Sequence, residues 1–402
     1  MPRLTSAQPW QLPDGIDELL PEAAAHVEAL RRELLACAAR WGYQLVMPPL
    51  AEFTDSLLVG VGEDLDLLTF KVPDQLTGRM LGLRADITPQ VARMDAHSMG
   101  GESINRLCYA GTTLHTHARS LAASRSPLQL GAELYGDASL AADIEVIDLM
   151  LAMLDTAGIA AADGLTLDLG HGDIFGHVLA ACQVPDDDQE AAIFGALQRK
   201  SRPDLEPLLA SLPEPGARWL DALLDMHGGL DVLDRAEALF ADEAPVVSAA
   251  LAQLRELASA LQRRYPGLQL YIDLAELRGY HYHTGVVFAV YAPGLGEALA
   301  RGGRYDNVGA VYGRARPATG FATDLRLLAG QVSVPDLREA AIAAPCIEDA
   351  ALLARIGELR SGGETVIVSL GGIADPRCTR ELTMIDGHWQ LQPMPRTVID
   401  EG

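Results

Sequence analysis

The sequence predicts an α+β fold with a helical insertion and a small C-terminal α/β unit. Segment 128–135 alternates apolar and polar residues, which is the pattern of a strand in an antiparallel sheet. Apolar residues at spacings of three and four indicate helices at 27–41 and 141–157. An Ala- and Leu-rich stretch interrupted by prolines, about 174–264, indicates helices inserted between strands.

Length and charge limit the organisation and the partners. A chain of 402 residues exceeds one ordinary domain, and a change of composition after Val332 predicts two domains, 1–330 and 331–402. The net charge of −24 disfavours broad contact with nucleic acid, because phosphate binding needs a positive surface.

The five cysteines are far apart and show no Cys-x-x-Cys spacing, so we expect buried thiols and neither a zinc site nor a redox pair. No metal or other cofactor is expected. The first residues lack the apolar core of a signal peptide, and no uncharged stretch is long enough to cross a bilayer. A cytoplasmic location without membrane contact is therefore expected.

The first candidate site segment is 80–93, where a strand is followed by a proline turn and a helix. Asp86 and Thr88 lie at the end of the predicted strand, where polar side chains commonly face a cleft. Thr88 alternatively caps the helix that begins near Pro89. Arg84 either pairs with a carboxylate or faces a ligand.

Two strands, 105–115 and 127–136, are predicted to flank a long polar loop. On the second strand Gln129 and Glu133 alternate with apolar residues, so the strand has a polar and an apolar face. The polar face covers either a bound ligand or open solvent.

The segment 277–288 combines five hydrogen-bonding side chains with the start of a strand: Arg278, Tyr280, His281, Tyr282 and His283. A guanidinium matches a carboxylate, and Tyr and His add directional donors and acceptors. A small polar ligand such as an amino acid fits this set, and an ordinary edge strand is the alternative. Strands at 268–274 and 282–291 are predicted to form a hairpin-like pair around Arg278.

Glycines at 302 and 303 precede Arg304, Tyr305 and Asp306. They suggest either a phosphate cradle or a strand that passes into a helix, and their spacing is not that of a P-loop. In the tail, a strand is predicted at 365–370 and a two-residue turn at Asp386-Gly387.

In order and spacing, these segments resemble histidyl-tRNA synthetase across about residues 10 to 330, including the three class II motifs and both histidine-specific signatures. The resemblance implies an antiparallel sheet flanked by helices and a histidine pocket. That pocket corresponds to Asp86, Thr88, Gln129, Glu133, Arg278, Tyr282 and His283. It further implies that Asp86, Thr88 and Gln129 orient the α-ammonium, Arg278 pairs with the α-carboxylate, and Glu133 with Tyr282 contacts the imidazole. Asp86 and His283 depart from the family's Glu and Tyr.

Two other departures concern ATP. His115 occupies the position of the arginine that contacts the α-phosphate, and Leu327 that of the arginine on the γ-phosphate, whereas Arg326 points about 100° away on a helix. Losing an arginine that contacts a phosphate in this way lowers the rate of the reaction by orders of magnitude. The short acidic tail also differs from an anticodon-binding domain.

The chain thus resembles the regulatory subunits of short-form ATP phosphoribosyltransferase. The resemblance implies a non-catalytic subunit that forms a homodimer within a hetero-oligomer and activates a separate catalytic subunit for the first step of histidine biosynthesis. It also implies feedback sensing of histidine and no tRNA partner. A divergent synthetase that forms histidyl-adenylate and a stand-alone amino-acid sensor are the alternatives.

Overall fold

A computed structural model describes residues 11–59, 62–118, 123–240, 244–275, 283–332 and 341–394. The chain divides into two compact units, Met1–Ser333 and Val334–Gly402. Within the described residues, no helix combines the length and apolar character that crossing a membrane requires.

The first unit is built around a nine-stranded sheet with the order β1-β5-β6-β12-β11-β10-β7-β9-β8. Its strands are β1 (Gln44–Leu45), β5 (Asn105–Thr112), β6 (Leu128–Tyr135), β7 (Thr166–His171), β8 (His227–Gly228), β9 (Gln269–Asp273), β10 (Val286–Tyr291), β11 (Ala300–Arg304) and β12 (Ala318–Asp324). A separate three-stranded sheet consists of β2 (Ala51–Phe53), β3 (Phe70–Pro73) and β4 (Met80–Leu83).

The centre of the large sheet is antiparallel, as the sequence predicts: β5, β6, β12, β11, β10 and β7 pair successively in opposite directions. The predicted hairpin between the strands at 268–274 and 282–291 is wrong. Strand β7 lies between β9 and β10, parallel to β9 and antiparallel to β10. A long-range partner from residues 166–171 therefore replaces the local pairing.

Helices cover the sheet through the apolar faces that their periodicity predicts. Helix α1 (Pro21–Arg40) buries Val27, Leu30 and Leu34 and packs on α5 (Leu140–Thr156). Short helices α2 (Thr54–Leu57), α3 (Glu63–Leu68) and α4 (Thr88–Arg93) precede α5, and α12 (Leu325–Gln331) ends the unit. Helices α1, α2, α4, α5 and α12 each bury at least one residue.

The helical insertion follows β7 and contains α6 (Gly172–Cys182), α7 (Asp187–Gln198), α8 (Arg202–Leu209), α9 (Gly216–Leu223), α10 (Asp231–Phe240) and α11 (Pro245–Arg264). Prolines lie near several helix starts, where the missing N–H costs no intrahelical hydrogen bond. The insertion shares one continuous apolar core with the sheet, through residues such as Phe175, Leu220 and Leu257.

Within residues 341–394, the second unit consists of a four-stranded sheet with the order β14-β13-β15-β16 and one α-helix. Its elements are β13 (Ala341–Pro345), α13 (Ala350–Ser361), β14 (Val366–Ser369), β15 (Cys378–Ile385) and β16 (His388–Pro393). The predicted turn between β15 and β16 is present, with φ of 47° at Asp386 and 80° at Gly387. Two successive positive φ angles suit a two-residue hairpin.

Candidate functional site

Glu133 lies at the centre of the large sheet and is 1% exposed. It stands on β6, opposite Leu107 of β5 and Gly320 of β12. The apolar residues that alternate with it, Leu130, Ala132 and Leu134, pack into the main core. Both sides of β6 are therefore covered, and the predicted solvent-facing alternative for its polar side is wrong.

Three hydroxyl groups surround the Glu133 carboxylate. Thr88 Oγ1 and Tyr109 OH each donate to Oε1 at 3.0 Å, and Tyr305 OH donates to Oε2. A carboxylate offers about four acceptor positions, of which these bonds use three. The arrangement fixes the carboxylate at one place while leaving acceptor capacity for one further donor.

Burial controls the protonation of this cluster. Loss of water raises the pKa of Glu133 to about 8, although the three hydroxyl donors partly oppose that rise. Burial also raises the pKa of Tyr109 and Tyr305 well above the usual value, so both phenols remain protonated donors. The protonation of this buried acid thus depends on the donors and charges beside it.

Asp86 and Gln129 form a second pair beside this cluster. Gln129 Nε2 donates to Asp86 Oδ1 at 2.8 Å, and the same oxygen accepts from Thr88 N at 3.0 Å. Gln129 Oε1 in turn accepts from Ile87 N at 3.0 Å. The structure therefore brings Asp86, Thr88, Gln129 and Glu133 into one connected hydrogen-bond network, from two separate parts of the sequence.

Thr88 does not cap a helix. It is the first residue of α4, its neighbour Ile87 holds the cap position, and no side chain caps that helix end. Its hydroxyl instead reaches Glu133. Arg84, for which a carboxylate or a ligand was expected, donates to the carbonyls of Thr112 (2.9 Å) and Pro48 (2.8 Å).

Two glycines form the floor between Glu133 and His283. A Cβ at Gly320 would stand 1.5 Å from Glu133 Oε2, and one at Gly303 would stand 2.9 Å from the His283 ring. Gly303 and Gly320 are directly opposite across β11 and β12, so they point to the same side of the sheet. Because opposite Cβ positions are about 5 Å apart, the carboxylate and the imidazole lie within roughly 10 Å on one face.

His283 also borders an open cavity of about 480 Å³. Thr284 and residues of the helical insertion, among them Asp173, His177 and Glu190, form the rest of its lining. Within the described ranges, no three His, Cys, Asp or Glu side chains converge in a way that would hold a metal ion. Arg278 and Tyr282, also assigned to the pocket by resemblance, lie outside the described residues, as do Tyr280 and His281.

His115 and Leu327, which stand where the synthetase pattern has two ATP-binding arginines, both contact other residues of this protein. His115 is 4% exposed, and its Nε2 donates to the Ala85 carbonyl at 2.9 Å. Leu327 packs against the main core. Arg326 donates to Ser126 O at 3.2 Å and lies 3.7 Å from the Asp17 carboxylate.

The glycine-rich segment before Asp306 is not a phosphate cradle. Arg304 is 6% exposed and pairs with the buried Asp143 at 3.0 Å. It also donates to the carbonyls of Asp137 and Ser139 at 3.1 Å. These bonds tie β11 to the start of α5, so the guanidinium has a structural role.

Sequence reasoning missed two members of the site, Tyr109 and Tyr305. Tyr109 lies on β5 and Tyr305 directly follows β11, and they are 24 and 172 residues from Glu133 in sequence. Tyr109 could have been identified from its position in the sheet: it lies opposite Gly131, whose missing side chain leaves room for the phenol. That position is known only once the strand register is known.

Comparisons with known proteins agree with this geometry. The family model described as histidyl-tRNA synthetase matches residues 15–328. A second model, described as the C-terminal domain of the ATP phosphoribosyltransferase subunit HisZ, matches residues 339–392. The two matches together cover most of both compact units.

Curated relatives match over nearly the full length. A protein named ATP phosphoribosyltransferase regulatory subunit from Ectopseudomonas mendocina is 51% identical over 394 residues, covering 96% of this chain and 98% of the relative. A protein of the same name from Azotobacter vinelandii is 50% identical over 392 residues, with the same coverage.

Solved structures show the same fold. A structure from Bacillus halodurans, titled an ATP phosphoribosyltransferase regulatory subunit/histidyl-tRNA synthetase, superposes with a TM-score of 0.75 at 26% identity, covering 92% of this chain and 95% of that chain. Histidyl-tRNA synthetase from Nostoc, at 16% identity and a TM-score of 0.71, covers 96% of this chain and 97% of that one and shares the fold. The predicted class II synthetase-like architecture is confirmed.

Proposed function

Because this chain belongs to the family of ATP phosphoribosyltransferase regulatory subunits, we propose that it activates a separate catalytic chain and lowers that activity when histidine binds. It is a regulatory subunit, so the transfer reaction belongs to its partner. The partner is a catalytic ATP phosphoribosyltransferase chain, and we propose the short form, which lacks a regulatory region of its own. The reaction is the first step of histidine biosynthesis.

The observation that carries the histidine proposal is the buried Glu133 with its three hydroxyl donors. A carboxylate held by Thr88, Tyr109 and Tyr305 is placed to accept a hydrogen bond from an imidazole N–H. Buried charge-assisted bonds of this kind are stronger than neutral ones. Because Gly303 and Gly320 have no side chains, neither position fills the space on this face of the sheet.

The α-ammonium and α-carboxylate groups of histidine fit the remaining candidate residues of the pocket. Asp86 and Gln129 form a polar pair beside Thr88 and supply oxygens for an α-ammonium. Arg278 is proposed to bind the α-carboxylate, and Tyr282 and His283 to complete the pocket. The two departures from the synthetase pattern, Asp86 and His283, shorten or replace side chains at the edge of this site and do not alter Glu133.

A synthetase activity is the less favoured alternative. Charge develops on the α-phosphate during adenylation and needs a cation there. Neither His115, which is buried and bonded to Ala85 O, nor the apolar Leu327, which packs against the core, is placed to supply it. We therefore propose that the chain binds histidine without activating it and has no tRNA partner. The net charge of −24 supports the absence of a tRNA partner, because phosphate binding needs a positive surface.

Regulation requires that histidine prefer one state of the assembly. A ligand shifts an equilibrium only by its difference in affinity for the two states. We propose that histidine binds more tightly when the catalytic partner is in a slow state. A homodimer of this chain within the hetero-oligomer and a cytoplasmic location are part of the proposal, and the free state of all five cysteines suits a reducing compartment.

Phosphoribosyl transfer by the purified catalytic chain, measured with and without this protein across histidine concentrations, tests the proposal. We expect activation on adding this protein and a progressive loss of that activation as histidine rises. Equal rates with and without it, or rates insensitive to histidine, would contradict the proposal. A catalytic chain that carries its own regulatory region serves as the control and should not respond.

Exchange of labelled pyrophosphate into ATP separates the synthetase alternative. Histidine-dependent exchange by the purified chain would favour an adenylating enzyme, and we expect none above the rate without histidine. The stand-alone sensor is tested by co-purification with the catalytic chain: histidine binding without any stable association would favour it.

A further inference from the structure

Thr284 forms hydrogen bonds to both sequence neighbours of Tyr305. Its backbone N donates to Arg304 O at 2.8 Å, and its Oγ1 accepts from Asp306 N at 2.9 Å. Gly285, the next residue, permits this close approach, because a Cβ there would stand 2.9 Å from Arg304 Cδ. The residues just before β10 are therefore joined to the two residues that flank Tyr305.

Tyr305 is held on its other sides as well. It is 3% exposed, and its backbone N donates to Ala318 O at 2.8 Å. Its ring meets the Tyr135 ring edge-on, with the centroids 6.4 Å apart. Its hydroxyl donates to Glu133 Oε2, whereas the other two hydroxyl donors of the cluster bind Oε1. The position of Tyr305 thus decides whether the second oxygen of this carboxylate receives its hydroxyl donor.

A displacement of the Tyr305 backbone is carried to the hydroxyl. The side chain has only two rotatable torsions, and a close-packed interior transmits small shifts. Thr284 also follows His283 directly and lines the same open cavity, so one residue adjoins two members of the candidate site.

We propose that Thr284 is a positioning residue for the imidazole end of the histidine site: by holding the backbone on both sides of Tyr305, it keeps the tyrosine hydroxyl on Glu133 and so strengthens histidine binding. Thr284 acts through Tyr305 and need not contact histidine. This inference rests on the proposed histidine-binding function.

The Tyr305 hydroxyl also affects the protonation of Glu133. Burial raises the pKa of Glu133 to about 8, and the bond from Tyr305 is the strongest of those that oppose the rise. Loss of this bond should therefore raise that pKa further and leave less of the carboxylate ionised near neutral pH. An N–H donor bonds more strongly to an ionised acceptor, so histidine affinity should fall as well.

Thr284→Val removes the hydroxyl and keeps the branched shape, whereas Thr284→Ser keeps the hydroxyl. Thr323→Val is the matched control. Thr323 lies on β12 of the same sheet and is 8% exposed, and its hydroxyl also bonds to the backbone, donating to Leu299 O at 2.6 Å. Titration calorimetry on the full chain measures histidine affinity. We expect Thr284→Val to weaken binding about fivefold, the worth of one hydrogen bond, and the other two variants to stay within about twofold.

The titration of Glu133 is measured without histidine. Unfolding free energy is followed over about pH 5 to 10 for each chain and for the same chain carrying Glu133→Gln, so that the difference reports Glu133 alone. The stability contributed by this group declines with rising pH until the folded pKa is passed. In Thr284→Val the decline should continue to higher pH than in the unmodified chain. Asp86, Tyr109 and Tyr135, the other titratable groups beside Glu133, are the same in each pair.

A double variant tests whether Thr284 acts through the Tyr305 hydroxyl. Tyr305→Phe removes that hydroxyl directly and should shift the Glu133 profile in the same direction. Adding Thr284→Val to Tyr305→Phe should then weaken histidine binding no further, because both changes remove one interaction. Thr284→Ala is the second variant, for the case in which Thr284→Val does not fold, and the same changes are expected.

An affinity within twofold of the unmodified chain, together with an unchanged Glu133 profile, would overturn the inference. A Thr284→Ser variant as weak as Thr284→Val, or a full additional loss in the double variant, would also overturn it. Lower stability without a shift of the Glu133 profile would mean that Thr284 is merely structural. If the unmodified chain itself fails to bind histidine, the proposed function is wrong, and the Glu133 profile still decides whether Thr284 positions Tyr305.

Discussion

The carboxylate of Glu133 occupies the space above Gly320 on the neighbouring strand. A Cβ at Gly320 would stand 1.5 Å from Glu133 Oε2, closer than any non-bonded contact allows. The glycine is therefore required by the position of the acid, and the two residues act as a single feature of the site.

Gly320→Ala should expel Glu133 from its hydroxyl partners. We expect a loss of about 3 kcal/mol of stability, from overpacking and broken buried hydrogen bonds, and at least a tenfold loss of histidine affinity. Chemical denaturation and calorimetry measure the two effects. Gly330→Ala, in α12 with no atom within 4 Å of its Cβ position, is the control and should be neutral or slightly stabilising. Unaltered affinity in Gly320→Ala would argue against Glu133 as the imidazole partner.

Glu133→Gln keeps the shape of the side chain and removes its ability to ionise. If Glu133 accepts an imidazole N–H, the variant should lose roughly 2 kcal/mol of histidine binding, the worth of a hydrogen bond to a charged group. Activation of the catalytic partner without histidine should persist, because the fold is retained. The check is an inhibition curve with the reconstituted assembly, and a curve identical to that of the unmodified protein would exclude this role.

The raised pKa of Glu133 predicts a pH-dependent stability. The folded acid, with a pKa of about 8, keeps its proton at pH values where the unfolded chain, at about 4.5, has lost it. Folding thus takes up a proton between these values, so this contribution is complete below about pH 4.5 and declines as pH rises toward 8. The expected slope is on the order of 1 kcal/mol per pH unit.

Glu133→Gln isolates that slope from those of other groups. The difference in unfolding free energy between the unmodified chain and the variant should change steadily from pH 5 to 8 and level off above 8. Denaturation curves at several pH values measure it. A difference independent of pH would mean that Glu133 titrates normally.

Arg304→Met tests the structural role of the buried ion pair. It leaves Asp143, which is 3% exposed, without its cation, and such an uncompensated charge costs about 3 to 5 kcal/mol. Arg255→Met is the matched control, since Arg255 pairs with Asp234 and Glu237 at the surface and should change stability by less than about 1 kcal/mol. Equal effects of the two variants in denaturation would show that burial of the Arg304 pair has no special weight.

The parts of the fold that local pattern determines were predictable. The periodicity of 27–41, the alternation in 128–135 and the Asp386-Gly387 turn each depend on neighbours in sequence, and each is present. The pairing of β9 and β10 with β7 was not predictable from local pattern, because the sequence of a short apolar strand does not determine which strand pairs with it.

The site residues also divide into those that could be predicted from the sequence and those that could not. The resemblance supplied Asp86, Thr88, Gln129 and Glu133, and the structure brings these four together. Tyr109 and Tyr305 depend on strand register and escaped notice. The alternation on β6 left open whether its polar face covers a ligand or faces solvent, because one strand does not reveal what packs above it.

The place of β7 between β9 and β10 has a consequence for how the chain matures. The helices of 172–264 lie, in sequence, between β7 and β9, so β9 can pair with β7 only once this whole stretch has been synthesised. β10, on the other side of β7, is synthesised later still. A ribosome-bound chain that ended before residue 290 would have the Thr88–Tyr109–Glu133 half of the pocket in its sequence, but neither Tyr305 nor a complete β10. The hydroxyl cluster around Glu133 is therefore complete only late in synthesis, after Tyr305 has been added.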